Sequence, residues 1–379
     1  MELEHTRVVF GVTTSPFLAN RTLKELVKDE GAKYPLAARA LNEQTFVDDI
    51  LTGAKSKSEV LELKNQLIDL MKAGGFNLGK WASSNNDVVG DLTESLELPI
   101  GNSKSITKVL GMFWDKAEDT FQYEVNDVNE PATKRGILSR VARTYDINGY
   151  LSPFTFLLKS MIQKLWLLKI DWDDPLPDDL HEMWVLIKSQ LLLLEEIKFP
   201  RYMCGAEISP CMLIGFSGAS IMGMAAVIYL RVKSEGNYMV HLVASKTRVA
   251  PLKTLTFPKL ELGAACLSSR LMNATIEALK SFINLADIFC FADSSSVLGW
   301  LKTPPYKLKT FISNRVVQIH ENVPDVRWSY VPGKFNPADP ANALLAVEAL
   351  IDNEELVAVK ALVAVQPLKA LEALIAVEA

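Results

Sequence analysis

The order of apolar segments in the second half of the chain limits its fold more than any other feature. Three β-favouring runs come first, followed by a helix, a strand, two helices and a last strand. In chain order these segments cover residues 212–216, 224–232, 239–245, 258–282, 288–292, 295–301, 309–321 and 326–331. Three strands followed by alternating helices and strands predict a mixed sheet of the α+β or α/β class.

The first half has a different pattern, in which helical periodicity dominates. A strand is predicted at residues 1–10, and Ser56 with Glu59 is predicted to cap the third helix. Helices are predicted at residues 16–29, 37–44, 58–73 and, with breaks at 148–149 and 175–177, over 133–199. A turn and strand are predicted at 74–81, a hairpin at 108–114 and 120–125, and a loop at 85–104. The most favourable domain boundary is residues 200–210, where prolines flank a polar stretch.

Residues 45–52 (Thr-Phe-Val-Asp-Asp-Ile-Leu-Thr) predict a tight hairpin with both acids at its tip. A two-residue hairpin turn favours Asn-Gly or Asp-Gly, because both central residues adopt positive φ. Adjacent carboxylates also repel each other. A divalent cation bound by Asp48 and Asp49 would explain why two adjacent acids are present in this turn. A solvated acidic turn is the alternative, since turns favour Asp.

Three acids of the second half are expected to meet at one edge of the predicted sheet. Asp293 directly follows a strand, Glu261 lies early in a helix, and Asp339 precedes Pro340 and a helical run. Each has an ordinary alternative, namely turn initiation, favourable interaction with a helix dipole, or helix capping. Residues 215–220 are expected to lie at the same edge of the sheet, but they contain no carboxylate. Three acids suit one divalent ion, whereas a two-metal centre needs a carboxylate that bridges both ions.

The net charge of −5 is unevenly distributed. From Ala341 onward six acids and two lysines give −4, so the other 340 residues sum to −1. Residues 133–170 carry seven basic side chains against the single acid Asp146, a local +6. This segment is either a phosphate-binding face or an ordinary solvated helix surface.

Other features concern the environment of the protein. The four cysteines lack metal-type spacing and are predicted to be reduced structural thiols. No signal-peptide pattern is recognised at the N-terminus, so an intracellular location, cytoplasmic or nuclear, is expected. The uncharged run 212–230 is predicted to form a strand pair and not a membrane helix. Residues 342–379 form a repetitive, helix-prone tail of low complexity.

Taken in order, several motifs resemble the reverse transcriptase–ribonuclease H region of BEL/Pao-type long-terminal-repeat retrotransposons, from about Val8 to Ala341. Residues 46–49 (Phe-Val-Asp-Asp) are similar to the polymerase catalytic hairpin, and residues 10–20 to the phrase that contacts template and incoming nucleotide. Residues 75–83 and 110–114 resemble the following palm motifs and primer grip, and residues 134–153 the thumb or connection. Three acidic ribonuclease H motifs are matched by residues 257–262, 293–295 and 336–339.

The resemblance implies four regions. They are a partial reverse transcriptase palm (1–125), a helical thumb or connection (126–205), a ribonuclease H-like domain (206–341) and the low-complexity tail (342–379). Catalysis and the binding of Mg²⁺ or Mn²⁺ would fall to Asp48, Asp49, Glu261, Asp293 and Asp339. The implied partners are an RNA/DNA hybrid or primer–template and, in the intact family, a deoxynucleoside triphosphate. The nucleic-acid-binding residues would be Phe10, Gly11, Ser15, Pro16, Lys80, Trp81, Lys134, Arg135, Arg140 and Arg143.

The chain also departs from the family pattern. The family has a further palm Asp upstream of residue 10, and Gly218 stands where the first ribonuclease H Asp is expected. Because each site lacks one ligand charge, the sequence predicts impaired metal binding and impaired catalysis. Two alternatives are a retrotransposon-derived protein that binds nucleic acid without catalysis, and an ordinary two-domain α/β protein whose acids cap helices and turns.

Overall fold

The computed structural model describes residues 11–90, 106–125, 128–203, 210–234, 237–324 and 326–339. The chain divides into two compact units, Met1–Gln122 and Tyr123–Ala379. Both contain helices and sheets, so the predicted mixed class is confirmed. The predicted strand 1–10 with Phe10, most of the loop 85–104, Cys204 and the tail 342–379 lie outside the described residues.

In the first unit three helices enclose a small apolar core. Helix α1 (Ser15–Glu30) and helix α2 (Pro35–Glu43) precede a hairpin of strands β1 (Thr45–Phe46) and β2 (Asp49–Ile50), and α3 (Lys57–Ala73) follows. Their apolar faces meet in one cluster, as the helical periodicity predicts. Its buried members are Leu26, Ala37, Ala40, Leu41, Leu63, Leu67, Leu70 and Met71.

The predicted cap of α3 is present. The Ser56 hydroxyl accepts a hydrogen bond from the backbone N–H of Glu59 at 3.2 Å. The Glu59 carboxylate accepts from the backbone N–H of Lys55 at 3.2 Å, one residue before the position expected in a capping box. Both bonds satisfy backbone donors at the start of the helix. A short helix, α4 (Asn86–Val89), follows.

Residues 74–81 are predicted to form a turn followed by a strand, and the turn is present at Gly74 and Gly75. The strand does not form in these residues, and Lys80 has a φ of 54°, which an extended strand does not allow. The two-stranded hairpin predicted from 108–114 and 120–125 is also wrong in detail. Leu110 and Gly111 both have positive φ, 47° and 87°, and form a two-residue turn inside the first run. The result is a three-stranded meander of β3 (Ile106–Val109), β4 (Met112–Asp115) and β5 (Thr120–Gln122).

The second unit begins with the predicted helical segment. It contains α5 (Lys134–Arg143), α6 (Ser152–Leu167), α7 (Asp178–Gln190) and the short strand β6 (Lys198–Pro200). Helix α6 is deeply buried, with Leu158 and Leu165 fully enclosed. Such a helix is held by tertiary packing more than by its own propensity.

Two basic residues of this segment, Lys134 and Arg140, are buried and do not belong to the predicted exposed face. Lys134 is 4% exposed, and its ammonium group donates to the carbonyl of Ile170 and lies 4.0 Å from the Trp166 ring centroid. Arg140 is equally buried and pairs with Glu130 at 2.5 Å. The predicted face is therefore wrong for Lys134 and Arg140, because burying a charge requires a partner within the protein.

The other two predicted phosphate-binding arginines also have intramolecular partners. Arg135 donates two hydrogen bonds to the Asp173 carboxylate, at 2.7 and 2.9 Å. Arg143 lies 3.6 Å from the Glu130 carboxylate. Both acids fall outside residues 133–170, so a charge count within that range could not include them.

The rest of the second unit is built on one five-stranded sheet. Its strands are β7 (Cys211–Ala219), β8 (Gly223–Ser234), β9 (Asn237–Val249), β10 (Leu285–Ala292) and β11 (Arg327–Tyr330). Their spatial order is β11–β10–β7–β8–β9. Strands β7, β8 and β9 pair antiparallel, whereas β10 runs parallel to both β7 and β11. The run 212–230 thus forms the predicted strand pair, and none of the described helices is long and apolar enough for a membrane crossing.

Helix α8 (Phe257–Leu279) packs on β7 and β8, and α10 (Thr310–Asn322) packs beside it. Helix α9 (Ser295–Leu301) has the predicted bounds. The core between helices and sheet includes Leu213, Ile228, Leu262, Met272, Cys290, Val316 and Ile319. Because β7 and β10 are parallel neighbours, their carboxyl ends lie at the same edge of the sheet.

The helical segment and the sheet share direct contacts within the second unit. The backbone N–H of Ser245, in β9, donates to the carbonyl of Asn148 at 2.7 Å, and the Gln163 amide donates to the carbonyl of Ala250 at 2.7 Å. Gly149 lies against Ser245 with φ of 75°. These bonds fix the loop before α6 on the outer strand of the sheet.

Candidate functional site

Three predicted acids come together at the carboxyl ends of β7 and β10. Asp293 follows β10, Glu261 lies in the second turn of α8, and Asp339 follows a 3₁₀ turn after β11. A Cβ atom placed on Gly333 would lie 3.5 Å from Asp293 Oδ2 and 3.6 Å from Asp339 Oδ2. The carboxyl groups of Glu261 and Asp293 lie close enough to share a hydrogen bond when one of them is protonated. These three residues are called the acidic cluster.

Burial and mutual repulsion make ionisation of the cluster costly. Glu261 is 3% exposed. Its burial, and then the charges of Asp293 and Asp339, raise its pKa to about 8. Burial also raises the pKa of Asp293, although hydrogen bonds from Asn336 and Glu261 oppose this. The raised pKa of Glu261 favours its protonated form near neutral pH, and in that form it can donate a hydrogen bond to Asp293.

Asn336 is a buried residue that holds the cluster in place, and sequence reasoning did not assign it a role. Its side-chain amide donates to the carbonyl of Ser217 at 3.0 Å and to Asp339 Oδ1 at 3.3 Å. Its amide oxygen accepts from the backbone N–H of Ala338 at 3.1 Å. This Asx-type turn orients Asp339 toward the end of β7. The available signal was an Asn three residues before the candidate acid.

Gly218 lies where a fourth side chain would enter the cluster. A Cβ atom at this position would be 2.5 Å from Asp339 Oδ1 and 3.1 Å from the Asn336 amide nitrogen. Any side chain at 218 would therefore point at Asp339, whose carboxylate would have to rotate away. The family resemblance expects an acid here, and the geometry shows which neighbour that acid would contact.

The donor set of the acidic cluster suits a hard divalent cation, which prefers carboxylate oxygens. Glu261 Oε2 and Asp293 Oδ1 are buried and have no hydrogen-bond partner among the described residues. Nevertheless, within the described ranges no three His, Cys, Asp or Glu side chains are already arranged to hold a metal ion. A proton held on Glu261 would keep its carboxyl group from acting as a ligand, because a metal ion binds the ionised form. Loss of that proton would leave donors for one cation.

The predicted catalytic hairpin forms in the first unit, with a different arrangement at its tip. Thr45 pairs with Ile50 and Phe46 with Asp49, so Val47 and Asp48 are the two turn residues. The expectation that both acids occupy the tip is wrong, because Asp49 is the first residue of β2. Val47 has φ of 56°, which is costly for a β-branched side chain. Both carboxylates are exposed.

The remaining predicted nucleic-acid-binding residues of the first unit have different environments. Gly11 is exposed in a turn with φ of 83°, and Ser15 and Pro16 form the first turn of α1. Lys80 is exposed, whereas Trp81 packs partly against the core of α1, α2 and α3. Gly11 and Lys80 thus offer accessible groups, while Trp81 has a structural contact.

Comparison with known proteins gives one family match. Residues 133–294 match the family model described as Pao retrotransposon-like RNaseH-like domain. No relative was found among curated proteins. Solved structures with some likeness include the foamy viral protease-reverse transcriptase in complex with RNA/DNA hybrid, at 16% identity and a TM-score of 0.46 over 86% of this chain. The same viral protein in complex with dsDNA gives 15% identity and a TM-score of 0.43 over 86% of this chain.

The chain spans 39% and 60% of the lengths of those two viral chains. RNase H1 from the archaeon Halobacterium salinarum NRC-1 is 17% identical with a TM-score of 0.24, over 37% of this chain and 98% of that one. The matched range 133–294 contains the helical segment, four strands of the sheet, Glu261 and Asp293. In this range the chain is therefore similar to the RNase H-like domain of Pao retrotransposons.

Proposed function

We propose that this chain is part of a retrotransposon reverse transcriptase–ribonuclease H region that binds an RNA/DNA hybrid and cleaves its RNA strand weakly. The observation that carries the proposal is the convergence of Glu261, Asp293 and Asp339 at one edge of the sheet, where Asp339 adjoins Gly218. Buried, mutually repelling carboxylates are costly to a fold and are concentrated at functional sites. The match of residues 133–294 to an RNase H-like family supports the same interpretation.

In the proposed site Glu261, Asp293 and Asp339 would hold Mg²⁺ or Mn²⁺. A bound ion would supply the positive charge that makes water a better nucleophile toward the phosphodiester and offsets charge on the attacked phosphate. Asn336 keeps Asp339 oriented, and Glu261 must release its proton before its carboxylate can act as a ligand. Hydrolysis there would form a bond between the water oxygen and phosphorus and break the phosphorus–O3′ bond of the RNA, with the water losing a proton to solvent and the departing O3′ taking one up. Without a carboxylate at 218, the site is proposed to bind the ion weakly.

A polymerase role is proposed for the first unit only as part of the intact family. The exposed carboxylates of Asp48 and Asp49 would share in holding Mg²⁺ near a primer end and a deoxynucleoside triphosphate. The strained Val47 supports this proposal, since backbone strain of this kind concentrates at functional turns.

Restoring a carboxylate at Gly218 tests the nuclease proposal. We expect Gly218→Asp to raise Mg²⁺- or Mn²⁺-dependent cleavage of the RNA strand by on the order of 100-fold, a usual size for one electrostatic contact in an active site. The measurement is cleavage of an end-labelled RNA/DNA hybrid, resolved by gel electrophoresis. Gly218→Asn is the matched control, because it adds nearly the same volume without the charge.

Three outcomes separate the alternatives. Recovered cleavage in Gly218→Asp but not in Gly218→Asn supports a weakened nuclease. Binding of the hybrid without cleavage in any variant favours the second candidate, a non-catalytic nucleic-acid-binding protein. One observation favours that candidate: the Asp339 carboxylate lies in the space beside Gly218, where the family resemblance expects the side chain of another acid. Absence of hybrid binding in the unaltered chain would contradict both.

A further inference from the structure

A second site for nucleic acid is suggested by the groove between α8 and α10. One wall is formed by residues of α8, and the other by residues of α10, at the three- and four-residue spacing that keeps side chains on one helix face. The residues that define this basic groove are Lys259, Cys266 and Arg270 of α8 and Phe311, Arg315 and Gln318 of α10.

The cationic groups of the groove are oriented by neutral neighbours. Arg270 donates to the Gln318 side-chain oxygen at 2.6 Å, and the Cys266 thiol donates to the same oxygen at 3.0 Å. Arg315 stacks on the Phe311 ring, 3.5 Å from its centroid, and donates to the Phe311 carbonyl at 3.0 Å. Orientation of a guanidinium in advance reduces the entropy lost when it binds an anion.

The part of the chain that contributes the two helices of the groove carries a net positive charge. Residues 237–320 contain ten Lys and Arg against four Asp and Glu, a net of +6 in a chain whose total is −5. No described carboxylate forms an ion pair with Lys259, Arg270 or Arg315. Burial raises the pKa of Cys266, while the charges of Arg270, Arg315 and Arg248 oppose that rise. The Cys266 thiol and the Arg270 guanidinium share one acceptor, the Gln318 side-chain oxygen.

We propose that the basic groove binds the phosphate backbone of the hybrid, as a second contact surface beside the acidic cluster. Forked guanidinium groups match phosphate oxygens, and backbone contacts of this kind fix the position of a duplex without reading its sequence. Helix α8 carries both Glu261 and the cations Lys259 and Arg270, so a strand bound at the cluster could continue along the same helix. The proposal rests on the proposed function of hybrid binding.

The test is the salt dependence of hybrid binding by the full chain. Fluorescence anisotropy of a labelled RNA/DNA hybrid is measured in excess EDTA, between about 50 and 200 mM salt. The double variant Arg270→Gln with Arg315→Gln is expected to bind several-fold more weakly and to lower the log–log salt slope by about two, since each lost phosphate contact removes about one. Circular dichroism checks that the variant keeps its fold.

Two further double variants serve as controls. Lys233→Gln with Lys280→Gln removes the same charge at the end of the sheet remote from the acidic cluster, and its slope is expected to stay unchanged. Arg270→Lys with Arg315→Lys keeps the charge and is expected to retain the slope. If the groove variant and the remote control behave alike, the groove proposal is overturned while hybrid binding stands. If the unaltered chain does not bind the hybrid, the proposed function fails and the groove proposal fails with it.

Discussion

Glu261 connects the chemistry of the acidic cluster to the stability of the fold. Its pKa is raised from 4.5 to about 8, first by burial and then by the two neighbouring aspartates. The folded state therefore binds a proton that the unfolded state releases between those two pH values. This contribution to stability is complete below the unfolded pKa and is lost as pH rises through the folded pKa.

Replacing this carboxyl group should remove the pH dependence. We expect Glu261→Gln to flatten the decline in unfolding free energy between pH 4.5 and about 8, and to be more stable than the unaltered chain at the upper end. Urea unfolding at a series of pH values measures the effect. Glu277→Gln, on the exposed face of the same helix, is the control. A parallel decline in both variants would show that Glu261 is not the titrating group.

The cluster also illustrates how far sequence reasoning reaches at the residue scale. Glu261, Asp293 and Asp339 are candidates from sequence because residue type and position at element ends predict an acidic edge. Asn336 is not, because its importance comes from three hydrogen-bonding partners that lie near each other only after folding. The sequence likewise predicts that both Asp48 and Asp49 occupy the turn. Neighbouring residues do not reveal that Val47 takes the left-handed conformation and the first turn position, which leaves Asp49 in β2.

At the scale of elements, the contact between the loop before α6 and strand β9 is open to a direct test. Gly149 has φ of 75°, and a Cβ atom there would overlap the Ser245 carbonyl oxygen. We expect Gly149→Ala to lower the unfolding free energy by more than about 1 kcal/mol, because both backbone conformation and space oppose the methyl group. Chemical denaturation measures the change.

A second glycine provides the matched comparison. Gly299 lies in α9, and a Cβ atom added there would meet nothing within 4 Å, so Gly299→Ala should be neutral or stabilising by up to about 1 kcal/mol. Equal effects of the two substitutions would contradict the importance of the contact with Ser245.

Most elements of the second unit follow from periodicity, and α9 has the same bounds in sequence and structure. The sheet strands are located correctly but are mostly longer than predicted, because backbone pairing extends them beyond their apolar centres. The turn at Leu110 and Gly111 escapes prediction, since Leu is an unusual residue at positive φ and its apolar character continues the strand pattern.

At the scale of the whole molecule, charge is separated along the chain. Residues 237–320 are basic although the net charge is −5. We expect the protein to be retained on heparin, a sulfated polyanion, at pH 7 and low salt, and to elute as salt screens the contact. Passage through the column without retention would show that the acidic remainder masks the basic region.

The sequence predicts a basic surface at residues 133–170, whereas the structure favours the groove between α8 and α10. Residues 133–170 have the same net charge of +6 as residues 237–320. In the first segment Glu130 and Asp173 neutralise the arginines, and Lys134 is enclosed by aromatic rings. Charge along the chain is therefore a guide to binding surfaces only when the partners that folding brings in are known.

Gly218 has no side chain, which makes this position suitable for introducing a new metal ligand. A histidine installed there would bring an imidazole nitrogen to the three carboxylates once Asp339 turned aside, and mixed nitrogen and oxygen ligation favours transition metals such as zinc or cobalt over magnesium. Cobalt absorption spectra would then report directly on the geometry of the pocket. One codon could thus convert this sheet edge into a spectroscopically visible metal centre.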